Sequence, residues 1–254
     1  MTSFALKLFA MVFMLVDHIA ILFFQHGNID PDLYTLMRTL GRFAFPAYAF
    51  LLAEGFRHIK REPARLRGHA TLLLLLTVLS ELAFDWFDHG VISYTRSQSV
   101  MFTLLLGFSG LWLAESWRGK PWVQAAVFLL AGMTGLMIGA NYRLTGVLLI
   151  FAFAWYLDRF EAWRYGRRLV TMLGVMALYY LLYCWMNANF SGPAAIWEQM
   201  RIMGIYGLPH LLLVPILASY NGKLGFRSRT LHRCYQWFYP VHLAILGLIA
   251  QVLG

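Results

Sequence analysis

The sequence is poor in charge. Of its 254 residues, 13% are Asp, Glu, Lys or Arg and 60% are apolar, whereas a soluble domain has about 25% charged and about 45–50% apolar residues. So few charged side chains cannot cover the surface of a water-soluble protein of this length. This excludes a soluble enzyme, a disordered tail and a fibrous protein. The composition predicts an integral membrane protein.

Cysteine is scarce as well. Cys184 and Cys234 are the two cysteines, and they lie far apart without the spacing of a metal-binding motif. They provide neither a disulfide framework nor a zinc site, so no metal is expected. The first apolar stretch, over 4–24, is longer than the apolar core of a signal peptide. We interpret it as a retained first helix.

Long apolar runs follow one another along the chain. We count about nine, most of them near the ~20 residues that cross a bilayer as a helix and longer than the ~9–11 residues of a barrel strand. The predicted fold class is therefore all-α, a polytopic membrane helix bundle, with one domain over 1–254. Pro209 and Pro215 predict a kink or break in the eighth run. The runs cover 4–25, 40–57, 69–87, 99–116, 121–139, 144–157, 168–187, 199–220 and 235–253.

The positions of lysine and arginine predict the orientation. With the N-terminus inside, sixteen of the 21 basic residues fall on the cytoplasmic side and five on the other. Cytoplasmic loops carry such an excess, so we predict an N-in, C-out topology. The net charge of +9 is thereby explained without nucleic-acid binding. The inside residues are Lys7, Arg57, Lys60, Arg61, Arg65, Arg67, Arg118, Lys120, Arg159, Arg164, Arg167, Arg168, Lys223, Arg227, Arg229 and Arg233; the outside residues are Arg38, Arg42, Arg96, Arg143 and Arg201.

Ionisable side chains occur inside or beside the predicted spans, where a charge is costly and needs a partner or a function. They are predicted at one depth, in the outer half of the membrane, where they could share one cavity. A network that only ties helices together is the structural alternative, although membrane helices are usually joined by small and uncharged polar residues. The set consists of Asp17, His18, Arg42, Glu81, Asp85 and Arg143.

His18 is a candidate general base, because the ordinary pKa of histidine is about 6.5. Asp17 points about 100° away from it on a helix, so an acid from another span is the better candidate to orient the ring. Glu81 and Asp85, one turn apart in the third run, are those acids.

Two further candidate sites lie elsewhere. Tyr239 and His242 share one face of the last run; they either contact a substrate or satisfy a kink at Pro240. Arginines at 57, 61 and 65 recur every four residues and would form a basic stripe on a continuous helix, although Pro63 interrupts it. Such a stripe binds either a polyanionic ligand or anionic lipid headgroups.

Six segments resemble the TraX family, in the same order and over nearly the whole chain. The chain departs from the family pattern at Asn141–Tyr142, where Asp-Tyr is expected, and at Ser99, where Asn is expected. The segments are ALKLFAMVFMLVDHIAILFF, LGRFAFPAYAFLLAEGFRH, LSELAFDWF, SVMFTLLLGF, ANYRLTGVLLI and WFYPVHLAIL.

This resemblance implies a multi-pass acetyltransferase of the bacterial inner membrane, within or near the wider transmembrane acyltransferase group. The acyl donor would be cytosolic acetyl-CoA, with no metal. The acceptor would be the N-terminal amine of a pilin or another exported peptide, and an envelope glycan or a small amine is the alternative. Membrane lipids are the other expected partner.

The resemblance also implies roles for individual residues. His18, beside Asp17, would remove the proton of the acceptor, Arg42 or Tyr239 would stabilise the oxyanion, and Glu81 or Asp85 would hold the tautomer of His18. The basic residues expected to bind the phosphates of acetyl-CoA are Arg57, Arg61, Arg227 and Arg229, and His242 is expected at the pantetheine or thioester.

A proton- or cation-coupled transporter is the main rival interpretation, since buried acids and a histidine also relay protons. The prolines of the eighth run fit the discontinuous helix of a transporter, but we find no inverted repeat. A non-enzymatic membrane scaffold is a third interpretation, and it leaves the polar residues of the spans unexplained.

Overall fold

The computed structural model describes residues 1–90, 97–189, 191–202, 204–226 and 228–253. Helices occupy most of these residues, and a short 3-10 turn covers Phe160–Ala162. Their bounds are α1 (Ser3–Gln25), α2 (Pro31–Gly41), α3 (Ala44–Ile59), α4 (Pro63–His89), α5 (Val100–Glu115), α6 (Pro121–Met137), α7 (Arg143–Leu157), α8 (Tyr165–Asn187), α9 (Pro193–Ile202), α10 (Gly204–Ala218) and α11 (Arg229–Leu253).

The helices confirm the predicted all-α class. Each of the nine apolar runs contains a helix. Within the described ranges, α1, α4, α8 and α11 are long and apolar enough to cross a membrane, and α5, α6, α7 and most of α10 are shorter apolar helices. The count of nine spans and the N-in, C-out orientation stay predictions.

Local sequence explains where helices begin and end. α4 starts with Pro63 at its first position, where the missing N–H costs nothing, and ends at Gly90 with a left-handed φ of 68°. The three arginines of the predicted basic stripe therefore do not share one continuous helix. Arg57 lies on α3, Arg61 in the following turn, and Arg65 on α4, which begins at Pro63. The eighth run covers the end of α9 and the whole of α10, and its two prolines lie inside α10.

The chain forms two compact units, Met1–Tyr48 with Asp158–Phe226 and Ala49–Leu157 with Arg227–Gly254. In the first unit, α1 packs on α2, and α10 contacts α2, α8 and α9. The N–H groups of Ser3 and Phe4 donate to the carbonyl oxygens of Lys223 and Leu224 at 2.9 and 3.0 Å, so the segment after α10 satisfies donors at the start of α1. The single domain over 1–254 stays a prediction.

In the second unit, α4 and α11 run in the same direction. Gly247 lies against Trp86 and Phe87 near the C-terminal end of α4, and Tyr235 interacts electrostatically with Glu54 near the end of α3. Because α4 begins just after α3 ends, the N-termini of α4 and α11 lie at one end of this unit.

Glycines let α5, α6 and α7 approach closely. A Cβ at Gly107 would collide with Ile150, and one at Gly132 would collide with Leu144. Phe108 and Phe153 fill the centre beside them and are completely buried. Small residues at helix contacts are the usual means of close packing in membranes, so this arrangement fits a membrane helix bundle.

The predicted topology can be tested with reporters at the C-terminus. We expect alkaline phosphatase fused after the last residue to be active and green fluorescent protein fused there to be dark, since the phosphatase folds only outside the cytoplasm. Fusions within the turn after α5, at Arg118–Lys120, serve as the inside control. Fluorescence without phosphatase activity at the C-terminus would overturn the C-out prediction.

Candidate functional site

An ion pair inside the first unit joins α1 to α2. Arg38 donates from Nη1 to Asp17 Oδ2 at 2.6 Å, and both side chains are less than one-fifth exposed. A charged hydrogen bond as short as this is among the stronger polar contacts of proteins. It gives the carboxylate within the apolar α1 a partner, as a charge at membrane depth requires.

Gly41 is required by the position of Asp17. A Cβ built on Gly41 would overlap the Asp17 carboxylate, so a side chain at this position would displace the ion pair. Arg42, directly after Gly41, is half-buried and also interacts electrostatically with Asp17. Arg42 thus lies near Asp17 within this unit, whereas the direct hydrogen bond comes from Arg38. The cavity shared by all six residues stays a prediction.

His18 lies beside this pair on α1 and is 7% exposed. Asp17 turns toward Arg38 on α2, which agrees with the argument that successive helical residues point in different directions. The imidazole thus lies on a buried face of α1, on a different side of the helix from the Asp17 carboxylate.

The acids of the second unit lie on α4. Asp85 is 1% exposed, and Glu81 Oε2 accepts a hydrogen bond at 2.9 Å from the backbone N–H of Ser99. Ser99 is the residue before α5, so this carboxylate lies at the positive end of a helix. The predicted orientation of His18 by Glu81 or Asp85 stays a prediction.

Tyr239 and His242 are brought together on α11, as their spacing predicted. Their ring centroids are 5.5 Å apart, and both residues are buried. His242 donates from Nδ1 to the carbonyl oxygen of Phe238 at 2.7 Å. Pro240 lies inside the helix without ending it. Their contact with a substrate stays a prediction.

Positive charge collects at the end of the second unit where α4 and α11 begin. Lys60 Nζ lies 3.7 Å from Glu115 Oε2, which places the end of α5 beside the end of α3. Part of the charge is paired, since Arg65 binds Glu62 at 2.8 Å and Arg118 binds Glu115 at 3.2 Å. The basic residues at this end are Arg57, Lys60, Arg61, Arg65, Arg67, Arg118, Lys120, Arg229 and Arg233.

The remaining predicted residues fall in different places. Arg57 is half-buried, whereas Arg61 and Arg229 are exposed at the basic end of the second unit. Arg227 lies outside the described residues. Arg143 is exposed and begins α7 with a left-handed φ of 44°. Of the six predicted outer-half residues, His18 and Asp85 are thus buried, and Arg143 is exposed. The half-buried ones are Asp17, Arg42 and Glu81.

Sequence reasoning missed Arg38. It counted this arginine only as a marker of the outside, although Arg38 and Arg42 are four residues apart and share one face of a helix. That spacing is a usable sign, because it places two guanidinium groups on one side of α2. Their partner, Asp17, is 21 residues away from Arg38 in the sequence. No local sequence pattern predicts this tertiary contact.

The model of the family described as TraX protein matches residues 3–250. The chain belongs to the TraX family. It is 28% identical over 254 residues to the probable fimbrial assembly protein FimC, serogroup H1, of Dichelobacter nodosus, covering 96% of this chain and 94% of that protein. No solved structure matches. The family and the apolar helices together make the chain a membrane protein.

The Asp17–Arg38 pair can be tested by removing one charge from this TraX family member. We expect Arg38→Gln to lower the free energy of unfolding by about 3 kcal/mol, the lower end of the ~3–5 kcal/mol that follows when one partner of a buried pair is lost. Thermal unfolding in detergent measures it. Arg201→Gln is the control, because Arg201 and Glu198 form an exposed pair on α9. Equal stability of the two variants would contradict the importance of the Asp17–Arg38 pair.

Proposed function

We propose that this chain is an acetyltransferase of the bacterial inner membrane that moves an acetyl group from acetyl-CoA to the N-terminal amine of an exported peptide, with pilin as the expected acceptor. The observation that carries the proposal is the buried imidazole of His18, next to the Asp17–Arg38 pair, in a chain of the TraX family. The name of the FimC relative, a probable fimbrial assembly protein, supports a role with pilin.

The donor side of the proposal rests on the basic end of the second unit. The phosphate groups of CoA are polyanionic, and clustered guanidinium groups bind phosphates with charged hydrogen bonds. Arg61 and Arg229 are exposed there, and neither belongs to the ion pairs formed by Arg65 and Arg118. They are the arginines that we assign to the phosphates, with Arg57 beside them.

The transfer itself needs a base. An α-amine has a pKa of about 7.7–8.0 and is mostly protonated at neutral pH, so it first releases one proton to water and attacks as the neutral amine, whose nitrogen then has a second proton to lose. Its nitrogen lone pair then forms a bond to the thioester carbonyl carbon, the C–S bond breaks, and CoA leaves as a thiolate. His18 takes the proton that nitrogen loses on attack and passes it to that thiolate.

The neighbours of His18 have separate tasks in this scheme. Arg42 carries the positive charge that stabilises the developing oxyanion. Arg38 is a positioning residue, because it holds the carboxylate of Asp17 and so fixes the rotation of α1 that presents His18. Gly41 keeps the space that this arrangement needs.

The proposed role of His18 predicts the activity of its variants. Purified wild-type protein should transfer label from acetyl-CoA to a peptide with a free amino terminus, and His18→Gln should lower the rate by roughly 10²–10⁴-fold, the usual contribution of a general base. Mass spectrometry of the peptide measures the product. His26→Gln, at the end of the same helix, is the control and should retain activity. Full activity of His18→Gln would remove His18 from the mechanism.

The assignment of the phosphates predicts a graded loss of donor binding. Arg229→Gln should weaken binding of CoA more than binding of pantetheine, because pantetheine has no phosphate for the guanidinium to contact. The dissociation constants can be measured by calorimetry at two salt concentrations. Arg201→Gln on α9 is again the matched control. Equal losses for CoA and pantetheine would show that Arg229 does not contact the phosphates.

A further inference from the structure

One face of α8 is exposed along most of the helix. Successive helical residues are about 100° apart, so residues that recur every three or four positions lie within an arc of about 80° there. Buried side chains of α8, among them Met172, Met176 and Tyr179, lie on the opposite side. The exposed face consists of Val170, Gly174, Leu178, Leu181 and Trp185. These five residues are called the α8 stripe below.

The α8 stripe is suited to contact with acyl chains. Val170 and Leu178 are 69% and 58% exposed, and α8, with 23 residues, is long and apolar enough to cross a membrane. Between these two side chains lies Gly174, where an added Cβ would have nothing within 4 Å. Because residues four apart are neighbours on a helix, the missing side chain of Gly174 leaves a notch in which one acyl chain can lie.

Two exposed arginines stand at the beginning of α8. Arg167 lies three residues before Val170, on the same face as the α8 stripe, and Arg164 is the residue before the helix. Neither arginine forms an ion pair within the described ranges. The guanidinium carbon of Arg167 lies 4.9 Å from the centre of the Trp163 ring. A guanidinium group stacked on a ring keeps the N–H groups at its edge available for an anion.

Arg168 holds the chain in the position from which these arginines project. Its Nε donates to the carbonyl oxygen of Trp163 at 3.0 Å, and its guanidinium carbon lies 4.9 Å from the centre of the Phe160 ring. The first turn of α8 is thereby tied to the preceding 3-10 turn. Tyr165, the first residue of α8, is 52% exposed. Tryptophan and tyrosine are enriched at the level of the lipid headgroups, so Trp163 and Tyr165 favour that depth for the start of α8.

We propose that the start of α8 and the α8 stripe bind one anionic phospholipid. The phosphate accepts hydrogen bonds from Arg164 and Arg167, because planar guanidinium groups match the oxygens of a phosphate. One acyl chain follows the α8 stripe past Gly174. A soluble phosphate ester would satisfy the arginines but leave the apolar stripe without a partner, and a neutral lipid would do the reverse.

This phospholipid site is separate from the assigned donor residues. It belongs to the first unit, whereas the phosphates of CoA are assigned to arginines of the second unit. Binding of the lipid forms and breaks no covalent bond. Its occupancy does not depend on acetyl transfer, so it can be measured whether or not the protein acetylates a peptide.

Native mass spectrometry of the purified protein tests the headgroup contact. Phosphatidylglycerol should bind more tightly than phosphatidylcholine with the same acyl chains. Arg164→Gln combined with Arg167→Gln should weaken phosphatidylglycerol binding roughly thirtyfold, the usual contribution of two basic side chains near an anionic surface. Arg201→Gln, which removes an exposed arginine of α9, should leave it unchanged. Equal binding of the two lipids, or unchanged binding by the double variant, would overturn the site.

A tryptophan in the notch keeps the test informative if the double arginine variant does not fold. Gly174→Trp meets no protein atom within 4 Å of its Cβ, so the melting temperature of the free protein should be kept. Binding of phosphatidylglycerol should weaken several-fold, because the indole occupies the place of the acyl chain. Leu173→Trp is the matched control, since it adds the same ring about 100° away on the helix at a position that is already 45% exposed. Equal affinities of these two variants would rule out the acyl-chain contact.

A competitor without acyl chains separates a lipid from a free phosphate ester. Glycerophosphoglycerol has the headgroup of phosphatidylglycerol and no chains, and at equal concentration it should not displace the lipid. CoA should also leave the occupancy unchanged. Displacement by either compound would show a site for soluble phosphate esters and would overturn the assignment to a phospholipid.

Discussion

The Asp17–Arg38 ion pair is the contact on which the arrangement of the first unit depends. An isolated carboxylate at membrane depth costs several kcal/mol, so α1 can hold Asp17 only where α2 supplies a guanidinium group. The pair fixes the rotation of α1 about its axis, and this rotation in turn decides which helix face presents His18. Gly41 belongs to the same constraint, since its missing side chain is the space that Asp17 occupies.

In the second unit, the start of a helix contributes to the stabilisation of an acid on α4. The backbone N–H of Ser99, just before α5, donates to Glu81 Oε2 at 2.9 Å. A helix N-terminus carries roughly half a positive charge, so the carboxylate gains partial compensation from it.

Sequence reasoning could predict the helices but not all their boundaries. Apolar run length determines that a segment crosses or enters a membrane, and the described helices follow those runs. The division of the second run at Arg42–Phe43 depends on tertiary packing that no local pattern encodes. Pro63 is the exception, because the geometry of proline alone places a helix start there.

The candidate site was predictable to a similar extent. A charge or an imidazole inside an apolar run stands out without any structure, so Asp17, His18, Glu81 and Asp85 could be named. Their partners could not, since Arg38 is distant in sequence and Ser99 acts through its backbone. Ser80 was overlooked because serine is common in membrane helices, and only the structure shows that its hydroxyl is buried without a hydrogen bond among the described residues.

The backbone hydrogen bonds of Ser3 and Phe4 to Lys223 and Leu224 impose a rule of parity on the chain. Two segments bonded to each other lie on the same side of a membrane. Every path between them must therefore cross the bilayer an even number of times, whatever the exact number of crossings is. The eight apolar runs between these segments satisfy the rule, and any revised assignment that adds or removes a crossing there must change the number by two.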